Sequence, residues 1–327
     1  MFAQPVGLMK VLLLFSVLLP AISLSQQTPD GNIKVGEKRD PLFLDNGVVR
    51  VGIDREFGAA ITHLSWSTYR KNVVNIHDPG RLIQQSYYAG RRLDRTEEGQ
   101  SPAWSPWPWN PIQGGGVKSW AKVPKFEIDD EGRLFSETIP KLWDMADEDA
   151  DAIMRQWTTF EPGLPNVVVV SCELVCQREG NDRWGKKGKR HQEIPALYFT
   201  RNFSVFRNYL GKGEWREEAQ LPGPPWGKTH APRNVMACFN RQGQGVAVFS
   251  PAATEHWNFG PHGGGNSPEA TDGPCVHLSP IVLLDLHPRS TLRYRYWMVV
   301  GTEEEIVSSI DQLLGKYQAE RVRLVNP

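Results

Sequence analysis

In the stretch His191-Gln192-Glu193-Ile194-Pro195-Ala196-Leu197-Tyr198, an imidazole and a carboxylate stand two residues apart. Side chains on a strand alternate between faces, so His191 and Glu193 point the same way and can address one ligand as acid and base. Thr254-Glu255-His256-Trp257-Asn258-Phe259 offers a second such pair, Glu255 with His256, while His230, His262 and His277 stand in plainer surroundings. No HExxH, GxSxG or GxxxxGK(S/T) pattern occurs, so zinc-protease, α/β-hydrolase and P-loop chemistry lose their usual signals.

Two further stretches carry polar and aromatic groups in unusual density. After a turn at Pro79-Gly80, Arg81, Ile83, Gln85 and Tyr87 share one face of a strand, and Leu82, Gln84, Ser86 and Tyr88 share the other. Neither set is wholly apolar, as expected for a strand lining a hydrated, concave site. The second stretch is Trp104-Ser105-Pro106-Trp107-Pro108-Trp109-Asn110-Pro111-Ile112-Gln113, with Trp120 close behind. Prolines around Trp107 and after Asn110 keep this backbone extended and stiff. Flat indole faces suit the C–H faces of sugar rings, and amides match hydroxyl groups, so Trp107, Trp109, Asn110 and Gln113 are expected to form a sugar platform. The simpler alternative is a set of tryptophans that seals one end of the fold.

These side chains must be positioned by strands. The 327 residues include 12 Trp, 30 Gly and 25 Pro, the composition of many short elements joined by turns. Strand-period segments recur from about 42 to 300: Val48–Ile53, Ala59–Leu64, Ala152–Thr159, Val167–Cys176, Ala196–Tyr209, Val235–Phe239, Gly245–Ser250, Ile281–Leu286 and Leu292–Val300. No helical pattern interrupts them, which predicts an all-β, large antiparallel sandwich. One helix is predicted at the C-terminal end, where the capping box Thr302-Glu303-Glu304-Glu305 precedes Ile306, Ile310, Leu313, Leu314 and Tyr317 at helical spacing.

Lys10, the apolar run Val11–Leu19 and the small residues Ala21-Ile22-Ser23 have the layout of a secretory leader. We therefore expect a signal peptide over 1–25, a flexible segment over 26–41 and one carbohydrate-active β-sandwich domain over 42–320. Export would make the protein secreted or periplasmic, with no membrane insertion once the leader is removed. Lys and Arg total 37 and Asp and Glu total 37, a balance that argues against nucleic acid as a partner. Export permits disulfides among Cys172, Cys176, Cys238 and Cys275, although Cys172 and Cys176 lie about 13 Å apart along a strand and cannot bridge each other. Buried free thiols are the equal alternative. The cysteine spacing does not suggest zinc. The acidic run 147–151 lacks the Gly and Glu of an EF-hand loop, so neither a metal nor a cofactor is expected.

Asp45-Asn46-Gly47-Val48-Val49-Arg50-Val51-Gly52-Ile53, Gly58-Ala59-Ala60-Ile61-Thr62-His63-Leu64 and Asn72-Val73-Val74-Asn75 resemble the start of galactose-mutarotase-like supersandwich domains. Gly80–Tyr88, Trp107–Pro111 and His191–Tyr198 are similar to a secreted group within that superfamily, and the resemblance covers most of 42–300. It implies a supersandwich fold and a place among aldose epimerases, glycoside hydrolase domains and polysaccharide lyase domains. Family epimerases pair a Glu base with His residues, roles that Glu193 with His191, or Glu255 with His256, would fill. The family's complete His/Asp/Glu set is not matched.

For a polysaccharide lyase, Arg81 with Gln85 or Asn110 would neutralise a uronate carboxylate, and Tyr87, Tyr88 or His191 would remove the C5 proton. For a glycosidase, Glu193 would work with Asp78 or Glu255. The reading therefore favours an exported enzyme acting on a polysaccharide or oligosaccharide, with lyase ahead of hydrolase. A non-catalytic carbohydrate-binding protein and an aldose 1-epimerase-like enzyme are the alternatives.

Overall fold

A computed structural model describes residues 41–327 apart from 117, 118, 146, 187, 221, 222, 224, 225 and 266. The expected leader and nearly all of the 26–41 segment lie outside the described residues.

Two antiparallel sheets carry the fold. The ten-stranded sheet runs, in spatial order, Lys122–Ile128, Leu134–Ile139, Ala152–Phe160, Val167–Cys176, Thr291–Thr302, Gln244–Phe249, Val235–Phe239, Val205–Gly211 and Glu214–Glu218. The short strand Arg323–Val325 also pairs with Thr291–Thr302. The seven-stranded sheet runs Lys141–Leu142, Pro111–Ile112, Gln84–Ser86, Arg190–Thr200, Cys275–Leu284, Trp257–His262 and Gly227–Thr229. Their facing side chains form one buried core, for example Leu134, Met154, Val170, Cys172 and Tyr296 from the first and Ile194, Leu197, Phe199, Phe259, Val276 and Leu278 from the second. The structure is an all-β sandwich with a C-terminal helix.

The valine run at 167–170 is buried on both faces, because each face has its own cover. Val168 and Val170 join the main core, whereas Val167 and Val169 turn outward beneath the helix Glu303–Tyr317. That helix starts at the predicted capping box: the Thr302 side chain accepts from Glu305 N–H, and Glu305 returns a bond from Thr302 N–H. Ile306, Ile310 and Leu313 then seal Trp297, Val299 and Phe249 from water.

The predicted segment Ala196–Tyr209 divides into Arg190–Thr200 and Val205–Gly211, which belong to different sheets. Cys172, Cys176, Cys238 and Cys275 are all free and buried. In the acidic run, Asp149 pairs with Lys122 and Lys141, and Glu148 pairs with Arg95 and Arg183.

Candidate active site

The outward face of the seven-stranded sheet carries the site. In Arg190–Thr200, Gln192 and Ile194 turn into the fold while His191 and Glu193 turn out. A bulge follows: Glu193 faces Ile281 across the ladder, but Leu197 faces Leu278, so one strand has an extra residue. That residue reverses the alternation and brings Tyr198 to the same face as Glu193, opposite His277. The neighbouring strands add Ile281 and Leu283, and then Asn258.

His191, Glu193, Asn258, Ile281 and Leu283 line an open cleft of ≈ 430 Å³ together with Tyr88, Arg92, Trp107, Lys189, Arg190 and Trp226. Glu193 sits at its floor. The Tyr88 hydroxyl donates to Glu193 Oε2 at 3.3 Å, and His277 Nε2 lies 3.4 Å from Glu193 Oε1. The buried His277 ring is held between Tyr198 and Trp226, with ring centroids at 4.5 and 4.4 Å. Neither of its nitrogens makes a hydrogen bond among the described residues, and Nε2 faces only the Glu193 carboxylate. His191 packs edge-on against His256 at 5.1 Å. Burial, then repulsion from Lys228 and His191, holds the His256 imidazole below its usual pKa. Burial and the adjacent Glu193 push the Tyr88 phenol well above its usual range, which favours its protonated, hydrogen-bond-donating form.

The rim is cationic. The Arg190 guanidinium donates to the Gly90 carbonyl, and no described carboxylate neutralises it. Burial and the nearby Arg92 both disfavour its charge. Among the residues lining the cleft, Glu193 is the one carboxylate against Arg92, Lys189 and Arg190.

Of the residues expected from sequence, the structure brings His191, Glu193, Tyr88 and Trp107 together in this cleft, with His256 beside it. Glu255 lies one residue further along, and its carboxylate accepts from the Thr254 hydroxyl at 3.4 Å without lining the cleft. Five expected site residues are placed elsewhere. Tyr87 is wholly buried between the sheets, where its hydroxyl donates to Gln85 Oε1 at 2.8 Å and meets Tyr294 at 3.3 Å. Gln85 donates in turn to the Arg155 carbonyl, and its own N–H is received by Gln113 Oε1. Gln113 is therefore a brace inside the core. Trp109 is buried beneath Arg178 and donates to the Ala150 carbonyl at 2.8 Å, so its faces are closed to a sugar. Arg81 is committed to Asp78 and the Gly273 carbonyl, which also occupies Asp78 as a second acid.

Asn110 is also buried, but it acts on the site indirectly. Its Oδ1 accepts from Trp107 Nε1 at 3.1 Å and its Nδ2 donates to the Tyr87 carbonyl, which fixes Trp107 at the cleft wall. The residues missed by sequence reasoning are Arg92, Trp226 and Asn258, while His277, which lies 3.4 Å from Glu193, stood among the weaker histidine candidates. His277 had a visible signal: it interrupts the apolar alternation Val276-His277-Leu278. Trp226 ends the proline-rich stretch Pro222-Gly223-Pro224-Pro225, in the manner of the Trp107 loop.

No protein-family model matches the sequence, and no curated protein matches it. Among solved structures, the chain is similar to the Slr1438 protein of Synechocystis sp. PCC 6803, at 10% identity and a TM-score of 0.46, covering 84% of this chain and 100% of that one. It is similar to a galactose mutarotase-like protein from Clostridium acetobutylicum at 8% identity and a TM-score of 0.40, covering 81% and 97%. It is similar as well to the heparan sulfate lyase HepC from Pedobacter heparinus at 8% identity and a TM-score of 0.39, covering 80% of this chain and 35% of the lyase. These similar structures include a galactose mutarotase-like protein and a heparan sulfate lyase.

Proposed function

We propose that the protein is a carbohydrate-active enzyme that cleaves an acidic glycan by β-elimination in the Glu193 cleft. One observation carries this reading: a single carboxylate lies in an aromatic-walled cleft whose rim holds Arg92, Lys189 and Arg190 without neutralising acids. Hydrolysis by paired carboxylates needs a second acid within about 5 to 9.5 Å, and none of the other described lining residues is one. Elimination needs a cation for the uronate carboxylate, a base for the C5 proton and a donor for the departing oxygen. Arg190 and Arg92 supply the first, His191 the second, and the Tyr88 hydroxyl bound to Glu193 the third. As C5–H breaks, the C4=C5 double bond forms, the C4–O bond breaks, and the leaving oxygen takes a proton. Trp107 and Trp226 offer flat faces to the sugar rings.

An aldose 1-epimerase-like reaction is the second reading, favoured by the Glu193–His277 contact. Digestion of a panel of polyuronates and sulfated glycans, followed by product mass, tests both. Elimination yields an unsaturated end and no added water, and Glu193→Gln abolishes it. Products heavier by one water overturn the lyase reading. Accelerated mutarotation of free sugars without depolymerisation supports the second reading, and glycan binding without turnover replaces both with a binding protein. We also propose export, supported by the leader pattern at Lys10–Ser23. N-terminal sequencing of protein recovered outside the cytoplasm tests it, and an intact Met1 there rejects leader cleavage.

A further inference from the structure

The opposite side of the sandwich carries a second cleft, of ≈ 680 Å³, on the outward face of the ten-stranded sheet. Strand register builds it from two rows. Phe135, Trp157, Ser171 and Arg295 stand side by side across four strands, and Glu137, Arg155, Glu173 and Arg293 form the next row. Their chain neighbours Leu134, Met154, Cys172 and Tyr294 are in the main core, so both rows face outward. The segment leading into Arg323–Val325 crosses beside them and adds Arg321 and Arg323.

The charges in these rows are only partly matched. Glu173 is shared by Arg155 and Arg293, Glu137 binds Arg155, and Glu320 binds Arg295. Although burial pushes the Glu173 carboxyl up, Arg293 and Arg155 hold it below its usual pKa, so it stays an anion. Five arginines thus face three carboxylates. The surplus is localised: Arg321 donates to the Gln318 and Glu320 carbonyl oxygens, and neither it nor Arg323 pairs with a described carboxylate. Trp157 lines the same cleft and is braced by Phe135 at 5.1 Å between ring centroids. A half-buried indole beside unneutralised guanidiniums matches a sugar ring that bears a carboxylate or sulfate, since the ring's C–H face packs on Trp and its anion meets Arg.

We infer that this cleft is a second, non-catalytic binding site for an acidic polysaccharide, with Trp157 as the sugar platform and Arg321 and Arg323 as the anion contacts. It lies on the sheet opposite the Glu193 cleft, so a polymer held there is retained near the enzyme without being cut at that point. The inference stands on its own residues and does not require turnover in the other cleft.

The test uses the full chain, polygalacturonate as the probe and its methyl-esterified form as the neutral control, by affinity electrophoresis. Arg92→Gln/Lys189→Gln/Arg190→Gln first removes the cations of the Glu193 cleft. This variant should keep polygalacturonate binding. Adding Arg321→Gln/Arg323→Gln should weaken it at least roughly tenfold, because two charge-assisted hydrogen bonds to the polymer are removed. Both arginines are exposed, so the fold should survive, and an unchanged melting curve verifies this. Trp157→Ala should weaken binding further, and the esterified polymer should bind poorly throughout. Complete loss of binding on changing the Glu193 cleft alone overturns the inference, as does indifference to Arg321→Gln/Arg323→Gln. Equal retention of RNA or an acidic peptide overturns the assignment to sugar. Failure of every digestion assay would remove the lyase reading and leave this result untouched.

Discussion

Two groups of polar and aromatic side chains contain the same residue types, and Tyr87 of one adjoins Tyr88 of the other in the chain, yet they end in opposite circumstances. Gln85, Tyr87, Asn110 and Gln113 are buried, and they hydrogen-bond to one another or to nearby backbone. Tyr88, Glu193 and Asn258 line the cleft, where neither nitrogen of the His277 packed behind Glu193 makes a hydrogen bond and the neighbouring cations lack anions among the described residues. A buried polar group without a partner costs roughly 1–3 kcal/mol. The first group stabilises the sandwich by satisfying itself, whereas the second leaves capacity for a ligand to satisfy. Residue type does not separate them; completeness of hydrogen bonding does.

The comparison breaks most sharply at Glu193. Glu193→Gln should lower turnover on the glycan by at least about 10²-fold, because it removes the carboxylate that holds the Tyr88 proton donor in place, with little change in melting temperature. A normal rate in that variant would strip the cleft of its chemical role. Ile310→Ala, far from the cleft, should do the reverse: about 2–5 kcal/mol of stability lost from the cavity beneath the helix, read by denaturant unfolding, with turnover per folded molecule unchanged. Gln113→Ala should cost about 1–3 kcal/mol, because it leaves the Gln85 N–H buried without an acceptor. If it instead abolished activity while sparing stability, the division between brace and site would be wrong.

A smaller effect concerns pH. His262 stands near Arg81, His277, Asp78 and His77, and burial followed by repulsion from Arg81 and His277 lowers its pKa from 6.5 to about 4. The unfolded chain therefore binds this proton more readily than the folded one between those values. His262 thus stabilises the fold above about pH 6.5, and the contribution is lost as pH falls towards 4. Its half-exposed ring reduces the effect through solvent screening. The melting temperature should fall across that window, and His262→Gln should flatten part of the fall. An unchanged profile would show that His262 is not held neutral.

The placement of His191 and Glu193 on one face was legible in the sequence, whereas the strand expected over 81–88 shortens to Gln84–Ser86. Which face turned inward was not legible, because both sets mix polar and apolar side chains. The shared residue type of Trp107 and Trp109 concealed a similar split: one indole walls the cleft and the other is sealed under Arg178. His277 and Glu193 are 84 positions apart in the chain, and only the ladder between Arg190–Thr200 and Cys275–Leu284 brings them together.

Local signals of period two, proline and glycine turns and one capping box determined the all-β architecture and the terminal helix, since each acts over a few residues. Tertiary structure decided which polar side chains became braces and which became a site. That outcome depends on what packs against each face: the ten-stranded sheet covers Tyr87 and completes its hydrogen bonds, while the open cleft beyond Tyr88 leaves Glu193 and the rim cations facing solvent.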